Sequence, residues 1–196
     1  MAEETEFAIG TRANCTDGFC GVLRRIVIDP DARTVTHLVI EPRHGHQPGR
    51  LVPVDLVEAT DGEIGLRCTR AEFDDLDPAD AAEVVEGAGA GIPNLVGGPP
   101  VGIPQPVPVV VEDVIPSGET EVAPGDPVFA LDGEIGCVQG LLTDPDGHHV
   151  THVLLREGHL WGRKEVAIPI SAVTGLEDGI QVNLTKKQVE DLPPAR

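Results

Sequence analysis

Short runs of strand-forming residues alternate with turn residues along most of the chain. Residues 21–28 and 34–40 are rich in Val, Ile and Leu, and Asp-Pro-Asp at 29–31 separates them. Proline fixes φ and aspartate can bond nearby amides, so this tripeptide predicts a turn between two strands. The Asp-Gly pair within residues 130–135 predicts a hairpin, because glycine supplies the positive φ that a tight turn requires. Short strands separated by such turns are typical of a small barrel or sandwich.

This pattern occurs twice. Matching residues of the two copies lie at one constant offset: Asp17 matches Asp132, Gly21 matches Gly136, Asp29 matches Asp144, Val35 matches Val150 and His37 matches His152. A constant offset over this many turn and strand positions indicates an internal duplication. We therefore predict an all-β fold of two tandem small barrels, one over residues 7–78 and one over residues 122–194.

Each copy ends in the same helix signal. Thr69 stands three residues before Glu72, and Thr185 stands three residues before Gln188. This is the capping-box pattern. The threonine hydroxyl accepts a hydrogen bond from the amide three residues later, and the Glu or Gln side chain accepts one from the threonine amide. We expect one short helix to lie against each barrel.

Residues 79–121 differ in composition from both copies. A Gly/Ala run at 87–91 and a proline-rich run at 99–106 predict a flexible and partly extended linker. Val109, Val110 and Val111 follow these runs. Two interpretations stay open for them: an extra strand on the second barrel, or an exposed apolar arm that pairs with the sheet edge of another chain.

Charge narrows the choice of partners. The chain carries 33 acidic residues against 14 lysines and arginines, a formal net charge of −19. Such a field repels nucleic-acid phosphates and anionic lipid surfaces. Only 3% of the residues are aromatic, which also disfavours a protein that stacks single-stranded bases on rings. We expect no direct nucleic-acid partner, whereas a basic partner such as a ribosomal protein would be attracted in a salt-sensitive way.

The amino-terminal sequence MAEETEFAIG has neither a basic leader nor an apolar run. No segment reaches the roughly 18 consecutive apolar residues of a membrane helix. We therefore expect a cytoplasmic protein without membrane contact. Cys15, Cys20, Cys68 and Cys137 form no CxxC pair, so free thiols are expected in a reducing cytosol. The alternative is a disulfide between Cys15 and Cys20, which flank the turn at residues 16–19.

The turns and strands of the second copy carry a known pattern. It consists of Asp-Gly-Glu-Ile-Gly at 132–136, Thr-Asp-Pro at 143–145, His-Val-Thr-His-Val-Leu-Leu-Arg at 149–156 and Val-Ala-Ile-Pro at 166–169. This pattern resembles the PRC-barrel domain, the small β-barrel of the photosynthetic reaction-centre H subunit and of a ribosome maturation factor. Both copies carry it, and the second copy matches better. The resemblance implies two PRC-type barrels that dock to other macromolecules, without assigning either relative's own function.

Motifs of hydrolytic, nucleotide-binding and zinc-binding sites are absent from the sequence, which favours a non-enzymatic protein without a cofactor. The loop at residues 158–164 is the main candidate for protein binding. It contains His159, Leu160, Trp161 and Arg163, and Trp and Arg are frequent in binding hot spots. The alternative is that Trp161 closes the end of its barrel.

Histidines concentrate in equivalent regions of the two copies. His148, His149 and His152 form a weak alternative metal site, since imidazole is a common ligand. We predict structural roles instead, because His37 and His152 lie within predicted strands, where a ring ordinarily bonds to a neighbouring strand or turn.

Two functions follow from these observations. The preferred one is a non-enzymatic scaffold or adaptor that binds protein partners, itself included as a homodimer, through its barrels. The alternative is a sensor of a small ligand or metal ion that uses the histidines and the Trp161 loop.

Overall fold

The computed structural model describes residues 4–42, 48–60, 62–84, 109–113, 115–146, 148–157, 165–176 and 179–193. The fold is all-β, as predicted, with two curled sheets of seven strands each that form two half-barrels. A further two-stranded sheet lies outside them.

The strands of the first copy are followed by two strands of the intervening segment and by the first strand of the second copy. They are β1 (Thr5–Ala8), β2 (Arg12–Cys15), β3 (Gly18–Asp29), β4 (Thr34–Pro42), β5 (Arg50–Pro53), β6 (Val57–Thr60), β7 (Ile64–Leu66), β8 (Asp80–Val84), β9 (Val109–Asp113) and β10 (Thr120–Val122). A 3-10 turn at Val54–Leu56 separates β5 from β6.

The second copy repeats this order. Its strands are β11 (Pro127–Ala130), β12 (Gly133–Thr143), β13 (Val150–Glu157), β14 (Glu165–Pro169), β15 (Val173–Gly175) and β16 (Ile180–Val182), with a 3-10 turn at Ile170–Ala172. The path through the first sheet is β5-β4-β3-β2-β7-β6, and through the second it is β14-β13-β12-β11-β16-β15. Corresponding strands therefore take corresponding places.

The predicted turns are confirmed. Gly18 and Gly133 have φ values of 128° and 122°, which favour glycine over residues with a Cβ. Asp29 accepts hydrogen bonds at one carboxylate oxygen from the amides of Asp31 and Ala32, both at 2.9 Å. These bonds close the turn between β3 and β4.

Both predicted helices are present and capped as expected. They are α1 (Arg70–Asp74) and α2 (Lys186–Glu190), and each has a complete capping box. The amide of Arg70 also donates to Asp17 at 2.8 Å, and the amide of Lys186 donates to Asp132 at the same distance. The aspartate of each Asp-Gly hairpin therefore ties the helix of its own copy to the barrel.

The first strand of each copy belongs to the sheet of the other copy. β1 pairs with β12 in the second sheet, and β10 pairs with β3 in the first. The registers are equivalent: Thr5 lies opposite Thr143 and Phe7 opposite Leu141, while Thr120 lies opposite Ile28 and Val122 opposite Ile26. The two barrels therefore exchange strands reciprocally.

The β3–β4 and β12–β13 turns also meet across this exchange. The amide of Val35 donates to the carbonyl of His148 at 2.7 Å, and the amide of Val150 donates to the carbonyl of Arg33 at 3.0 Å. These two bonds are equivalent under the repeat, so the copies are related by an approximate two-fold axis. We call the contact between the copies the seam.

One continuous apolar cluster spans both copies. Phe7 is fully buried and packs within it, and Val122 is 2% exposed on the reciprocal strand. Gly140 allows β1 to approach β12 closely, because a Cβ there would lie 2.9 Å from the Cα of Ala8 and closer still to the Phe7 carbonyl oxygen. Each barrel therefore fills its core partly with a side chain of the other copy.

β8 and β9 form the separate two-stranded sheet, which we call the ribbon. The sequence left open whether Val109 to Val111 join the second barrel or another chain; here they pair with β8. The chain on either side of the ribbon packs on the first sheet. Ala79, which is 1% exposed, forms a small apolar cluster with Val27 and Val39, and Ile115 packs against this cluster. The chain next to both ends of the ribbon is therefore anchored on the outer face of the first sheet.

Among the residues that the structure describes, no helix has the length and apolar composition needed to cross a membrane.

The strand exchange predicts that the two copies stay together when the connection between them is cut. A protease recognition sequence inserted after Gly91 should yield two halves that co-elute in size-exclusion chromatography, because each half contributes a strand to the other's sheet. Phe7→Asp in the same protein serves as the control, since a carboxylate in that fully buried position should weaken the association. Halves that separate in native buffer would contradict the exchange.

Candidate functional site

The residues predicted to bind partners fall into two groups. His159, Leu160, Trp161 and Arg163 lie outside the described residues. Val109, Val110 and Val111 lie in β9, so their position in the ribbon is given by its backbone pairing. The ribbon is therefore the part of the predicted binding surface that the structure defines.

The register of the ribbon places apolar residues opposite one another. Val109 pairs with Val84, and Val111 pairs with Ala82. Because alternate residues of a strand share a face, these four positions belong to one face of the ribbon. Val110 lies at the remaining apolar position of β9, opposite Glu83. Within the described residues, β9 pairs only with β8, so its other edge has no strand beside it.

Polar contacts hold the exchanged strands in both sheets. Thr151 donates its hydroxyl to Glu4 at 2.8 Å, and Nδ1 of His152 lies 3.4 Å from the same carboxylate oxygen. Glu4 directly precedes β1, so this contact fixes the start of the exchanged strand on β13. His152 therefore has a structural contact with a strand of the other copy.

The same arrangement recurs in the first sheet. Thr36 donates its hydroxyl to Glu119 at 2.6 Å, and Nδ1 of His37 lies 3.6 Å from that carboxylate oxygen. Glu119 directly precedes β10 and is the repeat equivalent of Glu4. Both copies therefore have the same contact: a glutamate just before the exchanged strand meets a Thr-His pair on the sheet that receives the strand.

One contact of the exchange is present in the first sheet alone. Nη1 of Arg25 lies 3.1 Å from Oε1 of Glu121, and the two side chains are only 17% and 16% exposed. The equivalent of Arg25 is Gly140, which instead admits the backbone of β1. β10 is therefore held by a largely buried ion pair and β1 by close backbone packing.

The three histidines of the alternative metal site have separate surroundings. Nε2 of His148 lies 3.6 Å from Asp55 across the seam, His149 is exposed with its amide bonded to Asp144, and His152 faces Glu4. Within the described ranges, no three His, Cys, Asp or Glu side chains come together in a way that could hold a metal ion. The geometry favours the interpretation that these histidines hold strands and turns together.

Three cysteines meet inside the first barrel. Cys15, Cys20 and Cys68 are each 6% exposed, and all four cysteines of the chain are free thiols. Cys20 donates to the carbonyl of Ala13 at 3.2 Å. Burial, and next the hydrogen bond to Cys20, raise the pKa of Cys15 from 9.0 to about 12, and burial is also the main reason that the pKa of Cys68 rises to about 11. These protonated thiols are poor nucleophiles.

The repeat explains where these cysteines lie. Cys15 and Cys20 match Ala130 and Ile135. From Pro53, which matches Pro169, the offset between the copies is one residue longer, so Cys68 matches Leu184. Cys15, Cys20 and Cys68 therefore stand at apolar core positions, where a protonated thiol packs as a small hydrophobic group.

Sequence reasoning missed the residues that hold the exchange, namely Glu4, Glu119 and Glu121. A signal for them exists, since Glu4-Thr5-Glu6 repeats as Glu119-Thr120-Glu121 at the same offset as the rest of the duplication. The repeat thus extends upstream of residues 7 and 122. That these segments cross to the opposite sheet has no counterpart in the sequence pattern, because the same strands would fit either barrel.

Comparison with known proteins gives no relative: no protein-family model matches the chain, and no curated protein matches it either.

A double-mutant cycle tests the ion pair that holds β10. Arg25→Ala and Glu121→Ala should each lower the free energy of unfolding by about 2 to 3 kcal/mol, since each leaves a largely buried charge without this partner. The double variant should lose clearly less than the sum, as measured by urea denaturation. The exposed pair Arg24 and Glu41 provides the matched control, where each loss should stay below about 1 kcal/mol. Additive losses at Arg25 and Glu121 would contradict the coupling.

The buried thiols predict a loss of stability at alkaline pH. Their pKa values in the folded protein lie above the ordinary 9.0, so the unfolded chain ionises first as the pH rises. This contribution is therefore complete below pH 9 and is lost between about pH 9 and pH 12. Urea denaturation at a series of pH values measures this contribution in the wild type and in a triple variant. The variant carries the second copy's residues: Cys15→Ala, Cys20→Ile and Cys68→Leu. An identical alkaline loss in both proteins would refute this role.

Proposed function

We propose that this protein is a non-enzymatic assembly protein of the scaffold or adaptor type, with two PRC-type barrels, which forms a homodimer by pairing the β9 edge of one copy with the β9 edge of another. The observation that carries the proposal is the ribbon, a two-stranded sheet outside both barrels whose β9 edge has no neighbour among the described residues. A two-stranded ribbon is marginally stable alone, and further strands stabilise it.

The ribbon sequence suits pairing with a second copy. An antiparallel pair centred on Val111 sets Val109 opposite Asp113 and Val110 opposite Glu112 of the partner chain. The carboxylates then lie opposite valines and not opposite each other, so directly opposed like charges are avoided. The resulting sheet has four strands in the order β8-β9-β9-β8.

Strand addition is also the way in which the chain joins its own two halves. β1 and β10 each extend the sheet of the other copy along an edge of its longest strand. A second round of edge pairing at β9 uses the same backbone hydrogen bonds, which require an extended segment more than a particular sequence.

The net charge decides how such a dimer responds to salt. Two chains of charge −19 repel each other, and the Debye length shortens from about 30 Å at 0.01 M to about 8 Å at 0.15 M ionic strength. Self-association should therefore strengthen as salt is added. A complex with a basic protein would weaken instead, so the sign of the salt effect separates the two kinds of partner.

The proposal includes a protein family and a cellular location. The turn and strand pattern described above supports PRC-type barrels, and this resemblance implies docking to other macromolecules. A cytoplasmic location is part of the proposal.

Light scattering coupled to size-exclusion chromatography tests this function directly. The full chain should show twice the chain mass at high concentration and high salt. Replacing residues 81–112 by Gly-Gly should give a monomer, because Asp80 and Asp113 are antiparallel partners that a two-residue turn can join. Removing all of residues 79–121 is unsuitable, since it also deletes β10 from the first sheet.

A point variant distinguishes edge pairing from unrelated association. Val111→Lys sets two cations opposite each other at the centre of the paired edges and should weaken the dimer at least about tenfold. Val84→Lys makes the same change on β8, away from that edge, and should weaken it much less. A monomer at all concentrations and salt strengths, or equal effects of the two lysines, would refute β9 pairing.

A further inference from the structure

A cavity of about 450 Å³ lies on one side of the seam, between the β3–β4 turn of the first copy and the β15–β16 region of the second. This volume falls within the usual range of small-molecule sites, roughly 300 to 1,000 Å³. Its lining combines Pro30, Asp31, Arg33 and Thr120 on one side with Ile170, Val173, Thr174, Gly175, Leu176 and Gln181 on the other.

The duplication supplies an internal comparison for this cavity. On the other side of the seam, His148 takes the place of Arg33, and it approaches Asp55 to 3.6 Å. The equivalent of Asp55 is Ser171, which carries no charge. Glu58 is likewise replaced by Thr174, which lines the cavity. The cavity side has thus lost two carboxylates that the other side carries.

Arg33 lines the cavity, and its backbone conformation is unusual. Its φ is 54°, a left-handed conformation that is uncommon for residues other than glycine and asparagine. Its carbonyl accepts the hydrogen bond from Val150 that closes the seam. Among the described residues, no carboxylate lies within ion-pair distance of its guanidinium group.

The other lining groups define what would fit beside Arg33. Asp31 supplies a carboxylate in the same turn, and its own amide is already bonded to Asp29 at 2.9 Å. Thr120, Thr174 and Gln181 offer neutral polar groups, and the Thr174 hydroxyl donates to the carbonyl of Gln181 at 3.3 Å. Ile170, Val173 and Leu176 supply the apolar part of the wall.

We propose that this cavity binds a small zwitterion with aliphatic side chains, of the size of a dipeptide. Arg33 binds its carboxylate, Asp31 binds its ammonium group, and the aliphatic side chains lie on Ile170, Val173 and Leu176. This inference goes beyond the assembly function and does not depend on it.

Charge favours a zwitterion over a simple anion or cation. The field of a chain with charge −19 repels a monoanion, although Arg33 attracts it locally. A monocation has Asp31 as its partner but also meets the guanidinium group of Arg33. A zwitterion has no net charge and pairs with both groups, and its carboxylate can bond the guanidinium in the bidentate geometry that strengthens such contacts.

Isothermal titration calorimetry and amide chemical shifts of the full chain test the proposal with leucyl-leucine as the probe. Saturable binding is expected, with shifts at Thr120, Thr174, Gly175 and Gln181. N-acetyl-leucyl-leucine lacks the ammonium group and leucyl-leucine amide lacks the carboxylate, so each should bind at least about tenfold more weakly. The absence of saturable binding at about 10 mM leucyl-leucine would overturn the proposal. Equal binding of all three compounds would also overturn it.

Substitutions test which side chain of the cavity binds each charged group of the ligand. Arg33→Asn keeps a residue that tolerates the left-handed conformation and should weaken leucyl-leucine binding at least about tenfold. Asp31→Asn should weaken leucyl-leucine but leave N-acetyl-leucyl-leucine unchanged. Ser171→Asp restores the carboxylate found on the other side of the seam and should compete with the ligand for Arg33.

The matched control is His148→Asn, which makes the corresponding change at the other side of the seam and should leave binding unchanged. Thermal unfolding of each variant shows whether it is folded. Folded Arg33→Asn protein that binds leucyl-leucine as tightly as wild type would refute the site, and the light-scattering mass of the same sample reports on the dimer separately.

Discussion

The reciprocal pairing of β1 with β12 and of β10 with β3 is the constraint on which the rest of the molecule depends. Each exchanged strand satisfies backbone groups on an edge of the longest strand in the other copy and buries an apolar side chain, Phe7 or Val122, in a shared core. A barrel of this size has little core of its own, and pooling two of them buries more apolar area per residue. The two copies therefore share one apolar core, and the seam between them is part of the same fold.

The two copies share the same strand arrangement but differ in several side chains. Arg25 binds Glu121 in one sheet while Gly140 admits the backbone of β1 in the other. Thiols stand at core positions of the first barrel where aliphatic side chains stand in the second. Arg33 lines a cavity, whereas its equivalent His148 lies near a carboxylate. The two copies thus share one arrangement of strands and differ at single positions within it.

The ribbon and the seam cavity depend on the same frame in different ways. The ribbon is anchored through Ala79 and Ile115 on the outer face of the first sheet, next to the strands that receive β10. The cavity exists because the β3–β4 turn of one copy is brought against β15 and β16 of the other. The cavity would be lost if the barrels were independent modules on a loose connector.

Local chemistry in the sequence determined much of this protein: the duplication, the strands, the Asp-Gly and Asp-Pro-Asp turns and the two capped helices all depend on residues close together in the chain. Only the tertiary structure decided which sheet β1 and β10 join, that Val109 to Val111 pair with β8, and that Arg33 lines a cavity. Strand pairing uses backbone groups common to all residues, so the two equivalent sheets offer β1 and β10 the same partners. Packing between residues far apart in the chain decides between the two sheets, as where the β1 backbone approaches Gly140. The alternation of apolar and polar residues along the chain does not indicate this choice.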